Sequence, residues 1–509
     1  MPFHYVVVGG GTAGLVLAAR LVENFPDVNV CVLEAGENVT HEPDLVIPGF
    51  AFKNLGQPRL DWGFMSTPQE YAKGRSIYIP RGKALGGTSM INLMTMGRAH
   101  KHEYDVQHLR PLGLQDGDWN GLSETFAPSE EEKSKLNVAF NKTAHGTSGP
   151  IQRTLPQWIS DACNSLGVAW NNDATSGNNV GLCTSYHSID SHGARSSSAS
   201  AYYEPNEHKA NLTVVTGARA TRILFDESKD SSGNLVASGV EYLKDGELHT
   251  ASAQLEVLLC AGETSSCIGE KKILEACGVA LKVELPGVGN NLLIEQDHFW
   301  SPFVTETDTK YESVEIMSDP ARAAREWKIY EESKKGMLSG TCSTLYAFLP
   351  KNNFMDSVPK TGHSSMNPSL HAVQKEWLAA DDIPFLEYVL KLNDTHDSHR
   401  LKGSLYSPAA RYTSPLPTHL PAPAIDYRLL DNEVDLDILV HAIKFARKLG
   451  TTTSLSSVFT QEIVPGPSVQ TDEEIKEFIR SSIDTVFHPI GTAAMLPREK
   501  GGVVNSSLK

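Results

Sequence analysis

At 509 residues the chain is long enough for two subdomains sharing a large core, and 40% hydrophobic with 21% charged residues is ordinary for a soluble globular protein. A net charge of −16 argues against a nucleic-acid partner, because phosphate would be repelled. Seven cysteines, odd in number and without CxxC spacing, argue against a disulfide framework or a metal site. No apolar run reaches the length of a membrane span, so no membrane partner is expected. The start, Met1 to Tyr5, has no basic segment ahead of an apolar run, and a cytoplasmic location is expected.

Phe3 to Val8 is a short apolar run that predicts a buried parallel strand ending at Gly9. Gly9-Gly10-Gly11-Thr12-Ala13-Gly14 follows, a GxGxxG carried by Gly9, Gly11 and Gly14. Leu15 to Glu23 then reads as a helix with Leu15, Ala18, Ala19 and Val22 on one face. In such a unit Gly9 allows the tight turn, Gly11 lets backbone approach a pyrophosphate, and Gly14 lets helix and strand pack closely. The helix start offers the N–H groups around Thr12 and Ala13 to the anion. A second strand, Val28 to Leu33, ends at Glu34, about 20 residues past the glycines, where a carboxylate bonds a ribose hydroxyl. This order of elements predicts dinucleotide binding, and an acid at position 34 disfavours a 2′-phosphate.

A Rossmann unit does not choose between FAD and NAD. Arg81-Gly82-Lys83-Ala84-Leu85-Gly86-Gly87-Thr88-Ser89-Met90-Ile91-Asn92 is a second glycine-rich loop, which favours an extended cofactor. Together with Asp61-Trp62, Thr67-Pro68-Gln69, Arg98 and Asp105, it resembles the first signature of the glucose–methanol–choline (GMC) oxidoreductases. The resemblance implies FAD as cofactor. It places Leu85, Gly86, Gly87, Ser89, Asn92, Leu93, Met94 and Thr95 on the flavin side, and the backbone near Ala220 by the adenine. His145-Gly146, Gly149-Pro150-Ile151, Arg195 to Tyr202, Asn211 to Gly217 and Leu285 to Leu292 fit further family segments, and His298 is read as structural.

Residues 300 to 425 carry no motif and are expected to supply a substrate-side sheet with helices; Pro415 to Pro423 reads as an extended loop. A helix over Val434 to Leu449 presents Leu436, Leu439, Val440 and Ile443 on one face and stops at Gly450. Thr471 to Glu474 is a capping-box start for another. Phe487-His488-Pro489-Ile490-Gly491-Thr492-Ala493-Ala494-Met495 then resembles the family's active-site motif, which makes His488 the candidate catalytic base. An imidazole near neutrality suits removal of an alcohol proton as hydride leaves.

The implied fold class is α/β: a Rossmann-like FAD-binding domain with a second, substrate domain containing an antiparallel sheet flanked by helices. The expected division is 1–300 for the FAD side with some substrate-side insertions, 301–425 mainly for substrate, and 426–509 for an incomplete return to the FAD domain. The implied activity is oxidation of a small-molecule alcohol, with oxygen or another acceptor taking the electrons.

Three features depart from the family pattern. The sequence ends at Lys509, short of the second His or Asn that family members usually carry a few dozen residues after the catalytic histidine; Cys260 to Gly269 looks like a shortened second signature; and Leu93 stands where glycine is common. The expectation drawn from them is weaker FAD binding and turnover. A non-catalytic FAD-binding descendant and a flavin-containing lyase stay open on these residues.

Overall fold

The computed structural model describes residues 2–97, 99–101, 157–172, 174–184, 186–190, 192–261, 268–276, 278–294, 299–300, 304–307, 319–340, 343–355, 376, 379–391, 423–505 and 508. Arg98, Asp105, His145, the 149–151 segment, His298 and most of the proline-rich stretch lie outside them, as do residues 262–267 of the shortened signature.

The chain opens with β1 (Phe3–Val8), α1 (Thr12–Asn24) and β2 (Val30–Leu33). The second strand begins later than its apolar run suggests, because the Val28 N–H is spent on a turn to the Phe25 carbonyl. α2 (Gln157–Ser165) and β3 (Gly181–Thr184) come next and belong to another layer. β4 (Leu212–Val215), β5 (Arg219–Lys229), β6 (Leu235–Lys244) and β7 (Glu247–Leu259) complete the first sheet. Its order is β4-β2-β1-β7-β6-β5.

The long β7 serves two partners. Glu247 to Ser252 pairs antiparallel with β6, and Ala253 to Leu259 pairs parallel with β1. The four parallel strands end in register: Val8 opposite Leu33 and Leu259, and Leu33 opposite Val215. Gly9, Glu34 and Cys260 therefore emerge side by side from one carboxyl edge, where open α/β sheets bind ligands. α1 covers this sheet with Gly14, Leu15, Ala18, Ala19 and Val22, the face that its spacing predicts.

The second layer holds α3 (Pro320–Ser333), β8 (Ser343–Pro350), β9 (Pro384–Lys391), α4 (Glu433–Gly450), β10 (Phe459–Val464) and α5 (Asp472–Ser482). β3, β8 and β9 form an antiparallel sheet in the order β9-β8-β3. The fold is thus a Rossmann-like α/β unit joined to a layer built on an antiparallel sheet with helices against it.

α4 is apolar on two sides. Leu436, Leu439, Val440 and Ile443 meet Ile475 and Ile479 of α5 together with Ala72, Ile77 and Ile79. Ala442, Phe445 and Leu449 cover Leu345, Leu349 and Leu386 of the antiparallel sheet. Asn432 caps the helix by accepting from the Val434 N–H. Gly450 is its last residue and Thr451 follows outside it.

α5 begins with the expected capping box: Thr471 Oγ1 accepts from the Glu474 N–H at 3.3 Å, and Glu474 Oε2 from the Thr471 N–H at 2.9 Å. Thr471→Ala is expected to cost about 1 kcal/mol, read as a lowered denaturant midpoint with an unchanged slope. Among the described residues no helix is long and apolar enough to cross a membrane, and no group of three His, Cys, Asp or Glu could hold a metal ion.

Candidate functional site

The turn from β1 into α1 is made by Gly9, whose φ of +97° lies in the left-handed region. A Cβ on Gly14 would stand 2.0 Å from the Gly9 carbonyl oxygen, so helix and strand touch backbone to backbone. Gly11 has an ordinary φ of −84°, and a Cβ there would meet only the Gly87 Cα at 3.7 Å. Its bare Cα leaves space above the helix start. Thr12 and Ala13 are exposed, and α1 has neither a side-chain cap nor an acid in its first turn. A helix end left uncapped and uncharged in this way suits an anion.

Glu34 is 6% exposed. One oxygen accepts from the Gly10 N–H at 2.9 Å, the other from the Gly36 N–H at 2.7 Å. The carboxylate thus stiffens the glycine turn. Burial raises the carboxyl's pKa, and the N–H bonds from Gly36 and Gly10 oppose that shift. Beyond Glu34 the chain at 217–220 runs past: Gly217 N–H bonds the Gly36 carbonyl, and Ala218 N–H the Glu34 carbonyl. Ala220 follows at the start of β5, half-buried against the apolar cluster beneath the sheet edge.

The two glycine loops are joined. Gly86 N–H donates to the Gly10 carbonyl at 2.8 Å, and a Cβ on Gly87 would lie 2.7 Å from the Gly11 Cα. A ligand seated on the start of α1 therefore reaches the second loop directly. Leu85 is fully buried, its N–H bonded to the Glu37 carbonyl. Ser89 Oγ donates to the Gly86 carbonyl at 2.6 Å and accepts from the Ser198 N–H at 3.0 Å. Asn92 Oδ1 accepts from Arg195 at 2.8 Å and from the Met94 N–H at 3.1 Å. The side chains of Ser89 and Asn92 thus brace the loop from behind.

Leu93 is half-buried, and Met94 is fully buried with φ +61°. Thr95 Oγ1 accepts from the Tyr346 hydroxyl of β8 at 3.2 Å. The loop therefore runs from the Rossmann unit to the antiparallel sheet.

His488 is exposed. Its neighbours hold it in a frame. Phe487 has φ +71°, its N–H donates to Thr485 Oγ1 at 3.2 Å, and Arg81 Nη1 donates to its carbonyl at 3.3 Å. Its ring meets Tyr78 edge-on with centroids 6.0 Å apart. Pro489 and Ile490 pair with Ile294 and Leu293. Arg81 opens the second glycine loop, and the next N–H, that of Gly82, bonds Thr88 Oγ1 at 3.1 Å. The histidine motif and the loop predicted to face the cofactor are thus tied by one arginine.

Two members of this assembly carry roles not assigned from sequence. Asp61, 3% exposed, accepts from the N–H groups of Gly56, Gly63 and Arg81 and from the Tyr78 hydroxyl. A Cβ on Gly36 would lie 2.2 Å from the Lys83 carbonyl oxygen, which makes this glycine the seam between β2 and the second loop. Asp61 opens the signature match, a signal for importance without a role; Gly36, two residues after Glu34, gave a signal that was available and unused. The described cysteines, Cys31, Cys163, Cys183 and Cys260, are free thiols, and burial pushes each up, Cys260 to about 11.

Fold and site together define a dinucleotide-binding α/β protein with a second glycine loop and a histidine motif near the junction of two layers. The GMC oxidoreductase family matches residues 3–298 with its amino-terminal part and 411–509 with its carboxy-terminal part. The chain is 31% identical to the dehydrogenase citC of Monascus ruber over 571 residues, covering 100% of this chain and 90% of that protein. It is 29% identical to an alcohol dehydrogenase (acceptor) of Pseudomonas putida, covering 100% and 88%. In fold it is similar to a fungal aryl-alcohol oxidase, with TM-score 0.80, 24% identity and coverage of 100% and 92%. An FAD-dependent oxidoreductase from Chaetomium thermophilum gives 0.79, 23%, and 100% and 92%. The chain belongs to the GMC oxidoreductase family. Its cofactor is FAD, and the uncapped helix start, the bare Gly11 and the interlocked loops fit that group.

Proposed function

We propose that the chain oxidises the CH–OH group of a small-molecule alcohol, with His488 as the base. The relatives named as alcohol dehydrogenase and aryl-alcohol oxidase support the substrate class. The observation that carries the reading is the Arg81 bond to the Phe487 carbonyl, which ties the exposed histidine to the second glycine loop. On this reading Gly9, Gly11, Thr12, Ala13, Gly14 and Glu34 hold the pyrophosphate and ribose. Residues 85–95 line the ring side, and the backbone at Ala220 lies by the adenine. Residues 1–300 serve mainly the cofactor, 301–425 the substrate, and 426–509 return to the cofactor side.

Bound FAD supplies the hydride acceptor. A ring nitrogen of His488 takes the hydroxyl proton as the carbon gives up its hydride, so that alcohol becomes carbonyl and two electrons leave the substrate. An alcohol that keeps its proton is a poor hydride donor, and a placed imidazole answers that at neutral pH. Oxygen or another acceptor then removes the electrons.

The test is the visible spectrum of the FAD-loaded protein under anaerobic addition of primary, secondary and aryl alcohols. Bleaching of the flavin band is expected. A loaded protein that none of them bleaches overturns the alcohol assignment. Cleavage of a cyanohydrin with the flavin still oxidised would place the site among lyases.

A further inference from the structure

We propose that Arg195 is a positioning residue for the cofactor loop: it fixes the backbone turn at Leu93 and Met94 through Asn92, and FAD affinity depends on that turn. The inference rests on the reading of residues 85–95 as the loop facing the cofactor.

Arg195 is 4% exposed, and among the described residues no carboxylate pairs with it. Its bonds go to neutral oxygens on separate stretches of chain: Nε to the Leu45 carbonyl at 2.8 Å, Nη1 to the Ser89 carbonyl at 3.1 Å and to Asn92 Oδ1 at 2.8 Å. Among the described residues Nη2 has no hydrogen-bond partner. Burial alone lowers the guanidinium to about 10, so it remains a cation. A buried cation without a counter-charge is costly, and an apolar side chain of similar volume would fill the same space without that cost. What the apolar side chain lacks is the planar fork that reaches Leu45, Ser89 and Asn92 at once.

The consequence appears one residue further on. Asn92 Oδ1 accepts from both Arg195 and the Met94 N–H, and Met94 stands at φ +61° with its side chain fully buried. A left-handed non-glycine residue is strained and persists only where its surroundings hold it. Here the amide oxygen that holds it is itself held by a charge-assisted bond. Ser188 completes the grip, its N–H donating to the Met94 carbonyl at 2.8 Å. The segment bearing Arg195 is steadied in turn by α3, whose Tyr330 hydroxyl donates to the Gly193 carbonyl at 3.0 Å.

The experiment compares wild type with Arg195→Met, Arg195→Lys, Asn92→Leu and Asn92→Asp. Two readouts are taken on apoprotein: hydrogen exchange of the Met94 amide, and FAD affinity by quenching of added flavin. Arg195→Met and Asn92→Leu are expected to speed exchange and weaken FAD binding by about tenfold or more, the loss of one charge-assisted hydrogen bond. Asn92→Asp keeps an accepting oxygen for both donors and is expected to exchange at Met94 more slowly than Asn92→Leu, with Arg195→Lys between wild type and Arg195→Met. Arg195→Met with wild-type exchange and wild-type FAD affinity overturns the proposal. Should Arg195→Met fail to fold, the Asn92 pair decides, since Arg195 is then intact. Wild type that takes up no FAD would sink the cofactor reading and the affinity claim, while exchange still decides whether Arg195 sets the turn.

Discussion

His488→Ala is expected to lower kcat for alcohol oxidation by about 10²–10⁴-fold, the usual contribution of a placed base, while FAD stays bound. The separation follows from how the histidine is mounted. Its side chain is exposed, whereas the backbone around it is fixed by other groups: Arg81 on the Phe487 carbonyl, Thr485 on the Phe487 N–H, and the pairing of Pro489 and Ile490 with Leu293 and Ile294. Removing the imidazole leaves all of these in place. Steady-state turnover, with the flavin spectrum of the same sample, checks both halves. A variant within a few-fold of wild type would mean that the alcohol proton goes elsewhere. Loss of FAD along with turnover would mean that His488 supports the loop rather than the reaction.

The second large effect separates two glycines three residues apart. Gly14→Ala puts a methyl group 2.0 Å from the Gly9 carbonyl oxygen and 3.2 Å from the Cys260 Cβ. Neither the strand end nor the helix can move freely, because Gly9 is bonded to the Leu33 carbonyl and Cys260 to the Val8 carbonyl. Overpacking of this kind costs about 1–3 kcal/mol, and more against rigid backbone, out of a total near 5–15. Apoprotein carrying Gly14→Ala is therefore expected to unfold at distinctly lower denaturant and to purify without flavin. Gly11→Ala meets nothing closer than 3.7 Å, at a φ that alanine adopts freely. Its apoprotein should unfold like wild type, yet, on the proposed seating of the pyrophosphate at the helix start, bind FAD at least about tenfold more weakly, because the methyl group would fill that space. Unfolding curves of the two apoproteins and flavin titrations check this. Wild-type FAD affinity in Gly11→Ala would move the ligand off the helix start.

Much of the site was legible because it is local. A strand, three glycines, a helix and an acid lie within the first 34 residues, and each is required there by turn geometry, close packing or anion binding. The Thr471 capping box is local in the same way, as is the motif around His488. The apolar face of α4 was legible only by half. Leu436, Leu439, Val440 and Ile443 follow one stripe, whereas Ala442, Phe445 and Leu449 cover a second layer that only the antiparallel sheet reveals.

The assignments that needed the tertiary structure are those made across long stretches of chain. Ser89 and Asn92, read from their motif as flavin-side residues, are braced by Ser198 and Arg195, more than a hundred positions away. The Arg81 tie to Phe487 spans four hundred. The sequence by itself determined the strand, glycine turn, helix and second strand of the first 34 residues, because backbone conformation and helix ends obey rules a few residues long. Which loop abuts which, which polar side chains brace the loop, and why Met94 holds a left-handed turn were decided by packing, since a buried hydrogen bond between distant segments leaves no period or spacing in the chain.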